Sequence, residues 1–384
     1  MNTFFCQHCG ERLFFENTFC LSCNRTLGFL PDILRISAIE SKGEGWVSGL
    51  PGTEKRIYRK CSNYQNENAC NWMIPVDDPD AYCVSCRLNR IIPDLNGPNN
   101  RELWVKLEAA KRRLIYALLR LGLPLVPKSH DPIGGLAFEF LADPSLPMNE
   151  SDRILTGHMD GVITINLKEA DDAVREKTRL NMREMYRTLL GHFRHECAHY
   201  YWDRFVRFSP RIGEVRALFG DERQDYQAAL QNYYQVGPPA DWGGNFVTIY
   251  AASHPWEDWA ETWAHYLHIM DTLETAAAGG LEVHLNEKHR AFQIPFGLEF
   301  SAIRENWHAL RFVVNSLNRS MGMPDPYPFV LSDEIAAKLE FIHHWIRDAV
   351  EAFKDPADEP PVSSVPAVQP PLVKTVNPSP DSAA

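Results

Sequence analysis

The sequence predicts an α+β chain in three parts: a small cysteine-rich region over residues 1–95, a mainly helical domain with a small β-sheet over 96–353, and a disordered proline-rich tail over 354–384. Three observations carry that expectation. Eight of the nine cysteines fall before residue 90, in closely spaced groups. Between residues 100 and 353, apolar residues recur mostly at helical spacing, interrupted by two short runs of strand-forming residues. The last 31 residues hold eight prolines and no aromatic side chain, too little apolar surface to offset the entropy of ordering.

A length of 384 residues and a hydrophobic content of 45% fit an ordinary globular core divided between two domains. The formal net charge is −11, which disfavours nucleic acid or an anionic membrane as the main partner. No secretory signal opens the sequence. No apolar run reaches the ~18 residues of a membrane span. The best attempt, "LIYALLRLGLPLV", is broken by Arg120 and Pro124. A soluble, cytoplasmic protein is expected.

The cysteine spacing reads as metal ligation. Cys6, Cys9, Cys20 and Cys23 form C-x2-C-x10-C-x2-C, and Cys61, Cys70, Cys83 and Cys86 form C-x8-C-x12-C-x2-C. Two residues between cysteines make a knuckle that aims both thiolates at one ion, and two knuckles complete a tetrahedron. The expectation is two structural zinc ions in a zinc-ribbon region. Residues 1–95 carry 10 Lys plus Arg against 11 Asp plus Glu. With no basic footprint, phosphate binding has no electrostatic support. Zinc as a staple for a region too small to build its own core is favoured, and docking of a protein partner stays open. Cys197 stands alone and is expected to pack as a small residue.

The helical part begins with "RELWVKLEAAKRRLIYALLRLGLP", residues 101–124, ended by Gly122 and Pro124. Its Lys111, Arg112 and Arg113 are expected on a solvated face. "LAFEFL" (136–141) and "GVITINL" (161–167) read as strands. A long helix is expected between Asp172 and Phe208, another from Asp221, and a third over 254–276 with Pro255 in its first turn. Two more follow, over 299–318 and 332–353.

Inside the helix between 172 and 208 lies "GHFRHECAHYYWD". His195 and His199 are spaced i, i+4, which puts both imidazoles on one helix face within reach of a single ion. Glu196 sits at the edge of that face, placed to touch a water on the metal without ligating it. This is H-E-x-x-H, a zinc-protease signature. A third ligand must come from a different direction. Asp203 and His192 continue the same helix and are collinear with the pair. His158 and Asp160 are expected in a loop beside the 161–167 strand. The 254–276 helix offers Glu257, Glu261, His265 and His268 on one face among Trp256, Trp259, Trp263 and Tyr266. Carboxylates buried among aromatics need partners, and Ala260 and Ala264 would let another helix come close.

The segments "RTLLGHFRHECAHYYWDR", "FGDERQDYQAAL", "YAASHPWEDWAETWAHYLHIMDTLETA", "CRLNRIIPDL" and "LTGHMDGVITINLKEADD" resemble a bacterial family of zinc-dependent peptidases with an N-terminal zinc ribbon. The resemblance runs from the first cysteine to about residue 345. It extends to the gluzincin group, in which a later helix carries E-x-x-A-E. It implies a zincin-like fold, with Glu257 as the third ligand of a catalytic zinc and Glu261 as the acid that orients a ligand. Tyr250, seven residues before Glu257, is implied as the oxyanion donor. Cys197 departs from the small residue usual at its position.

What such parts would do is hydrolyse a peptide bond. Zinc lowers the pKa of a bound water to about 7. Glu196 takes the proton and delivers it to the leaving amine. The strand 161–167 is expected to offer a free edge to extended substrate. The competing reading is a non-catalytic, metal-stabilised protein-binding module on the same scaffold.

Overall fold

The computed structural model of the chain describes residues 1–144, 154–181, 184, 185, 187–285 and 288–354. The tail expected to be disordered falls, from residue 355, outside the described residues.

The first hundred residues are built from short antiparallel strands. β1 (Phe4–Phe5) pairs with β2 (Arg12–Leu13) across the first cysteine knuckle. A five-stranded sheet follows in the order β3 (Leu27–Leu30), β4 (Arg35–Lys42), β5 (Gly45–Ser48), β6 (Tyr58–Lys60) and β7 (Met73–Pro75), with the one-turn helix α1 (Ser62–Gln65) between β6 and β7. Phe4, Phe15, Phe29 and Trp72 form an aromatic cluster beneath these strands, and Tyr116 from the next helix completes it. The region therefore does have an apolar core, but one shared with the domain that follows.

β8 (Asn89–Ile91) leaves the cysteine-rich region and joins the second sheet. That sheet has the order β10 (Gly157–Met159), β11 (Val162–Asn166), β9 (Ala137–Leu141), β8. β8–β9 and β9–β11 are parallel, and β10–β11 is an antiparallel hairpin. Two expectations fail here. β11 is interior, hydrogen-bonded on both sides, so it has no free edge; the edges belong to β10, which among the described residues pairs only with β11, and to β8. His158 lies in strand β10 rather than in a loop.

α2 (Asn100–Leu121) ends at Gly122, whose left-handed φ of 77° closes the helix. Its basic triplet is not a solvated face. Arg113 is outside and pairs with Glu16, but Lys111 and Arg112 are buried. Lys111 pairs with buried Glu108 at 3.0 Å, and Arg112 donates to the Ala69 carbonyl beside the second cysteine group. The reason is that buried acceptors lie under this helix, the Glu108 carboxylate and the Ala69 carbonyl, and helical spacing alone does not reveal them.

The long helix expected over 172–208 is two. α3 (Asp172–Asn181) has no buried residue, and α4 (Leu189–Tyr201) starts afresh at Thr188, whose hydroxyl accepts the Gly191 N–H at 3.0 Å. A π-turn over 202–206 follows, with the Arg207 N–H donating to the Trp202 carbonyl at 3.0 Å. α5 (Ile212–Phe219) and α6 (Tyr226–Val236) come next. α6 begins five residues later than expected because Asp225 is the side chain that caps it, accepting the Ala228 N–H at 2.9 Å. The short α7 (Trp242–Asn245) leads to α8 (Pro255–Ala278), the hairpin β12 (Glu282–Leu285) and β13 (Lys288–Ala291), α9 (Phe300–Ser320) and α10 (Asp333–Lys354).

α4 packs along α8, and α2 and α10 flank the pair. The interface is aromatic: Tyr201 stacks on Trp263, Trp202 meets Trp259 edge to face, Trp259 lies tilted against Trp263, and the Trp259 indole donates to the Ala198 carbonyl. Ala260 and Ala264, small residues on α8, are both buried. Among the described residues, no helix is long and apolar enough to cross a membrane.

Candidate functional site

The α4–α8 contact brings three sequence-distant side chains to one point. α8 is started by His254, whose Nδ1 accepts the Trp256 N–H at 3.1 Å, and by Pro255, whose fixed φ suits the first turn. That start places Glu257 in the first turn, where the helix dipole favours a carboxylate. Across from it, one turn of α4 separates His195 and His199. Their Nε2 atoms lie 3.2 Å apart. Glu257 Oε2 is 3.0 Å from His195 Nε2 and 3.6 Å from His199 Nε2. Donor atoms at about 2.0–2.1 Å from a tetrahedral ion are separated by about 3.3 Å. The triangle fits a zinc ion. Glu257 Oε2 is buried and makes no hydrogen bond, as expected of an oxygen whose partner is a cation.

The surroundings hold these groups in place. Glu261 Oε1 lies 2.6 Å from His195 Nδ1, and its Oε2 accepts from the Thr248 hydroxyl at 2.7 Å. A carboxylate on Nδ1 fixes the tautomer that leaves Nε2 free to ligate. The Trp256 ring lies 3.9 Å from the His199 ring, centroid to centroid, and sets its plane. Tyr226, the first residue of α6, donates to Glu257 Oε1 at 2.6 Å and also shares a hydrogen bond with Tyr250.

Charge and burial compete at every member. Burial opposes a charge on His195, but the carboxylates of Glu257 and Glu261 outweigh it and raise its pKa well above the ordinary imidazole value. Burial pushes Glu257 up, yet His199 and His195 pull its carboxyl well below the usual range. The hydroxyl of Tyr250 is raised well above an ordinary phenol, first by burial and then by the charge of Glu257. It stays a proton donor at any physiological pH.

Glu196 lines the same cleft and makes no hydrogen bond or ion pair among the described residues. Tyr250 stands in the turn before α8, its ring 6.1 Å from that of His195. A cleft of about 270 Å³ runs past His195, Glu196 and Tyr250, with Tyr233 and Tyr234 of α6 on one wall and His268 on another. Of the other acids and imidazoles considered as ligands, Asp203 pairs with Arg207 at 3.4 Å and His192 with Glu169 at 3.2 Å. His265 shares a 2.7 Å hydrogen bond with Tyr327. Asp160 follows β10 with a left-handed φ of 48°. Cys197 is fully buried on α4 and belongs to the core.

Sequence reasoning missed Tyr226, Thr248 and the packing of Trp256 on His199. Tyr226 had no signal of its own, because it reaches Glu257 from a separate helix. Thr248 precedes Tyr250 by two, and only the fold shows that it faces Glu261.

Both cysteine groups converge. Sγ separations are 3.7 Å for Cys6–Cys23, 3.6 Å for Cys9–Cys20 and 3.8 Å for Cys70–Cys83. Thiolates about 2.3 Å from a tetrahedral zinc lie about 3.8 Å apart, whereas a disulfide needs about 2.0 Å. In the second group, the backbone N–H groups of Trp72, Cys83 and Cys86 point at the sulfur atoms of Cys70, Cys61 and Cys83 at 3.4–3.5 Å, while burial pushes the Cys83 thiol well above its ordinary value. Burial works against the charge of Arg112 beneath them, and its neighbours Cys70, Glu108, Cys86 and Cys83 favour that charge. All four cysteines of this group are buried, while Cys9 of the first is exposed and Cys23 is half-buried.

Comparison with known proteins agrees with this architecture. Residues 100–345 match a family described as "putative zinc-binding metallo-peptidase", and residues 3–97 match a zinc-ribbon domain. Three curated relatives, uncharacterized proteins of Mycobacterium bovis and of two Mycobacterium tuberculosis strains, are each 40% identical over 355 residues, spanning 92% of this chain and 98% of theirs. No solved structure matches significantly. The chain belongs to this zinc-binding metallo-peptidase family and carries a zinc ribbon ahead of the family's domain.

Proposed function

We propose that the chain is a zinc-dependent peptidase in which His195, His199 and Glu257 hold the catalytic ion. The observation that carries this reading is the 3.0–3.6 Å triangle of ring nitrogens and carboxylate oxygen drawn from two helices. A zinc ion on those atoms supplies a Lewis acid for the scissile carbonyl and a water activated at neutral pH. Glu196 accepts the proton of that water and returns it to the leaving amine. Its carboxylate has no hydrogen bond or ion pair among the described residues, which suits a base. Tyr250, kept protonated by burial, donates to the oxygen on which charge develops. Glu261 holds His195 in the ligating tautomer.

The substrate is a peptide or protein. Of the two edge strands, β10 is the one that packs on α4, and its outer edge is available to pair with an extended chain. In the N-terminal region, Cys6, Cys9, Cys20 and Cys23 hold one structural zinc, and Cys61, Cys70, Cys83 and Cys86 a second. That region, 1–95, acts as a fold element and protein-docking face ahead of the peptidase domain, 96–353. A reducing, cytoplasmic setting suits its paired thiolates.

The test is cleavage of a mixed peptide library by protein of verified metal content. Wild type cleaves it. Glu196→Gln retains the metal and loses turnover. Equal cleavage by that variant removes Glu196 as the base. No cleavage by fully metallated wild type on any peptide favours the non-catalytic, metal-stabilised binding module instead.

A further inference from the structure

The β12–β13 hairpin carries a cluster of metal-binding side chains outside the catalytic and cysteine sites. Its register pairs Glu282 with Ala291, Val283 with Arg290, His284 with His289 and Leu285 with Lys288. Alternation along a strand sends Val283 inward, where it is buried, and puts Glu282 and His284 on the opposite face. His289, directly across from His284, joins them. His289 Nε2 lies 3.0 Å from Glu282 Oε2, and the two imidazole rings stack at 4.5 Å with planes 28° apart. One donor atom from each of the three residues falls within 4.8 Å of the others. Arg290 turns away to Asn306 and Glu305 of α9, at 2.7 and 3.0 Å, so its charge is spent elsewhere.

A hydrogen-bonded His–Glu pair this exposed contributes little to stability, and a stacked second imidazole adds no charge to it. A shared cation would use all three groups. It would also cross-link the two strands of a hairpin that forms a two-stranded sheet of its own, an element of marginal stability. Two imidazoles and one carboxylate are the donor set of a divalent first-row transition ion, not of calcium or magnesium.

We propose that Glu282, His284 and His289 form a surface site for a divalent transition ion such as zinc, separate from the catalytic and cysteine sites and weaker than they are. With three exposed ligands, the ion exchanges readily and orders the hairpin while bound. The site does not depend on the peptidase reading, since none of its residues lies near His195, Glu196 or Glu257 in the chain.

The full-length chain, already replete in its tight sites, is titrated with zinc ion. Calorimetry is expected to show one further, weaker equivalent, and amide exchange over 282–285 and 288–291 to slow several-fold. His284→Ala and, independently, His289→Ala remove that equivalent and the protection while keeping the tightly held metal, which also reports that the variants fold. Absence of the extra equivalent in wild type overturns the site. So does an equivalent that survives in both variants, because the ion then binds elsewhere.

Discussion

The hydroxyl of Tyr226 donates to Oε1 of Glu257 at 2.6 Å, while Oε2 of the same carboxylate faces the ring nitrogens of His195 and His199. One oxygen is thus held by a neutral donor and the other left for a cation. Tyr226→Phe removes the holding group without leaving a void. Zinc affinity at the histidine site is expected to fall about 10–100-fold, the usual effect of losing an outer partner. Competition with a metal indicator measures it, and an unchanged affinity would show that Tyr226 only packs.

Glu261 plays the matching part for His195. Glu261→Gln replaces a charged acceptor on Nδ1 with a neutral amide. A loss of about 10–100-fold in zinc affinity at the histidine site is expected, with the cysteine-bound metal retained. Thr248→Val, which removes the donor to Glu261 Oε2, should weaken the site less. Metal analysis after graded chelation ranks the three proteins; an order with Thr248→Val weakest contradicts the geometry.

The two cysteine sites should differ in lability. Cys9 is exposed and Cys23 half-buried, whereas Cys61, Cys70, Cys83 and Cys86 are all buried beside Arg112. A thiol-sensitive indicator with chelator is expected to release the first zinc in a fast phase and the second in a slow one. Cys9→Ser abolishes the fast phase. Arg112→Met speeds the slow phase, because the thiolates lose their buried counter-charge. Simultaneous release of both ions would contradict this ordering.

Acid sensitivity has an identified source beside the cleft. Burial pushes Glu169 up, but His192 and Arg187 outweigh it and hold its carboxyl near 2. A carboxyl lowered on folding contributes stability that is complete above its unfolded value and lost as pH falls toward its folded one. The window is therefore about pH 4.5 down to about pH 2. Glu169→Gln is expected to lower stability at pH 7 by on the order of 2 kcal/mol. The gap between wild type and variant should close across that window in thermal melts, and a gap independent of pH would assign the effect to packing.

Much of this was legible in the sequence because its signals are local. Cysteine knuckles, the i, i+4 histidines and the Pro255 helix start each fit within a few residues, and each landed where expected. The aromatic pattern along α8 also anticipated its burial, Ala260 and Ala264 included. What stayed illegible depends on contacts between distant segments. Lys111 and Arg112 look like a solvated face until the buried Glu108 carboxylate and Ala69 carbonyl that they meet are seen. The break at Thr188 is a capping choice that helical propensity between 172 and 208 does not display. The interior position of β11 is a matter of strand order, which alternation within one strand cannot reveal.

The most direct measurement is anomalous diffraction at the zinc edge from crystals of the metallated protein. A peak is expected about 2.0–2.2 Å from His195 Nε2, His199 Nε2 and Glu257 Oε2 together. If the cysteine sites show their peaks while the histidine pair shows none, with Glu257 turned away, the three residues do not form a metal centre and the peptidase reading fails with it.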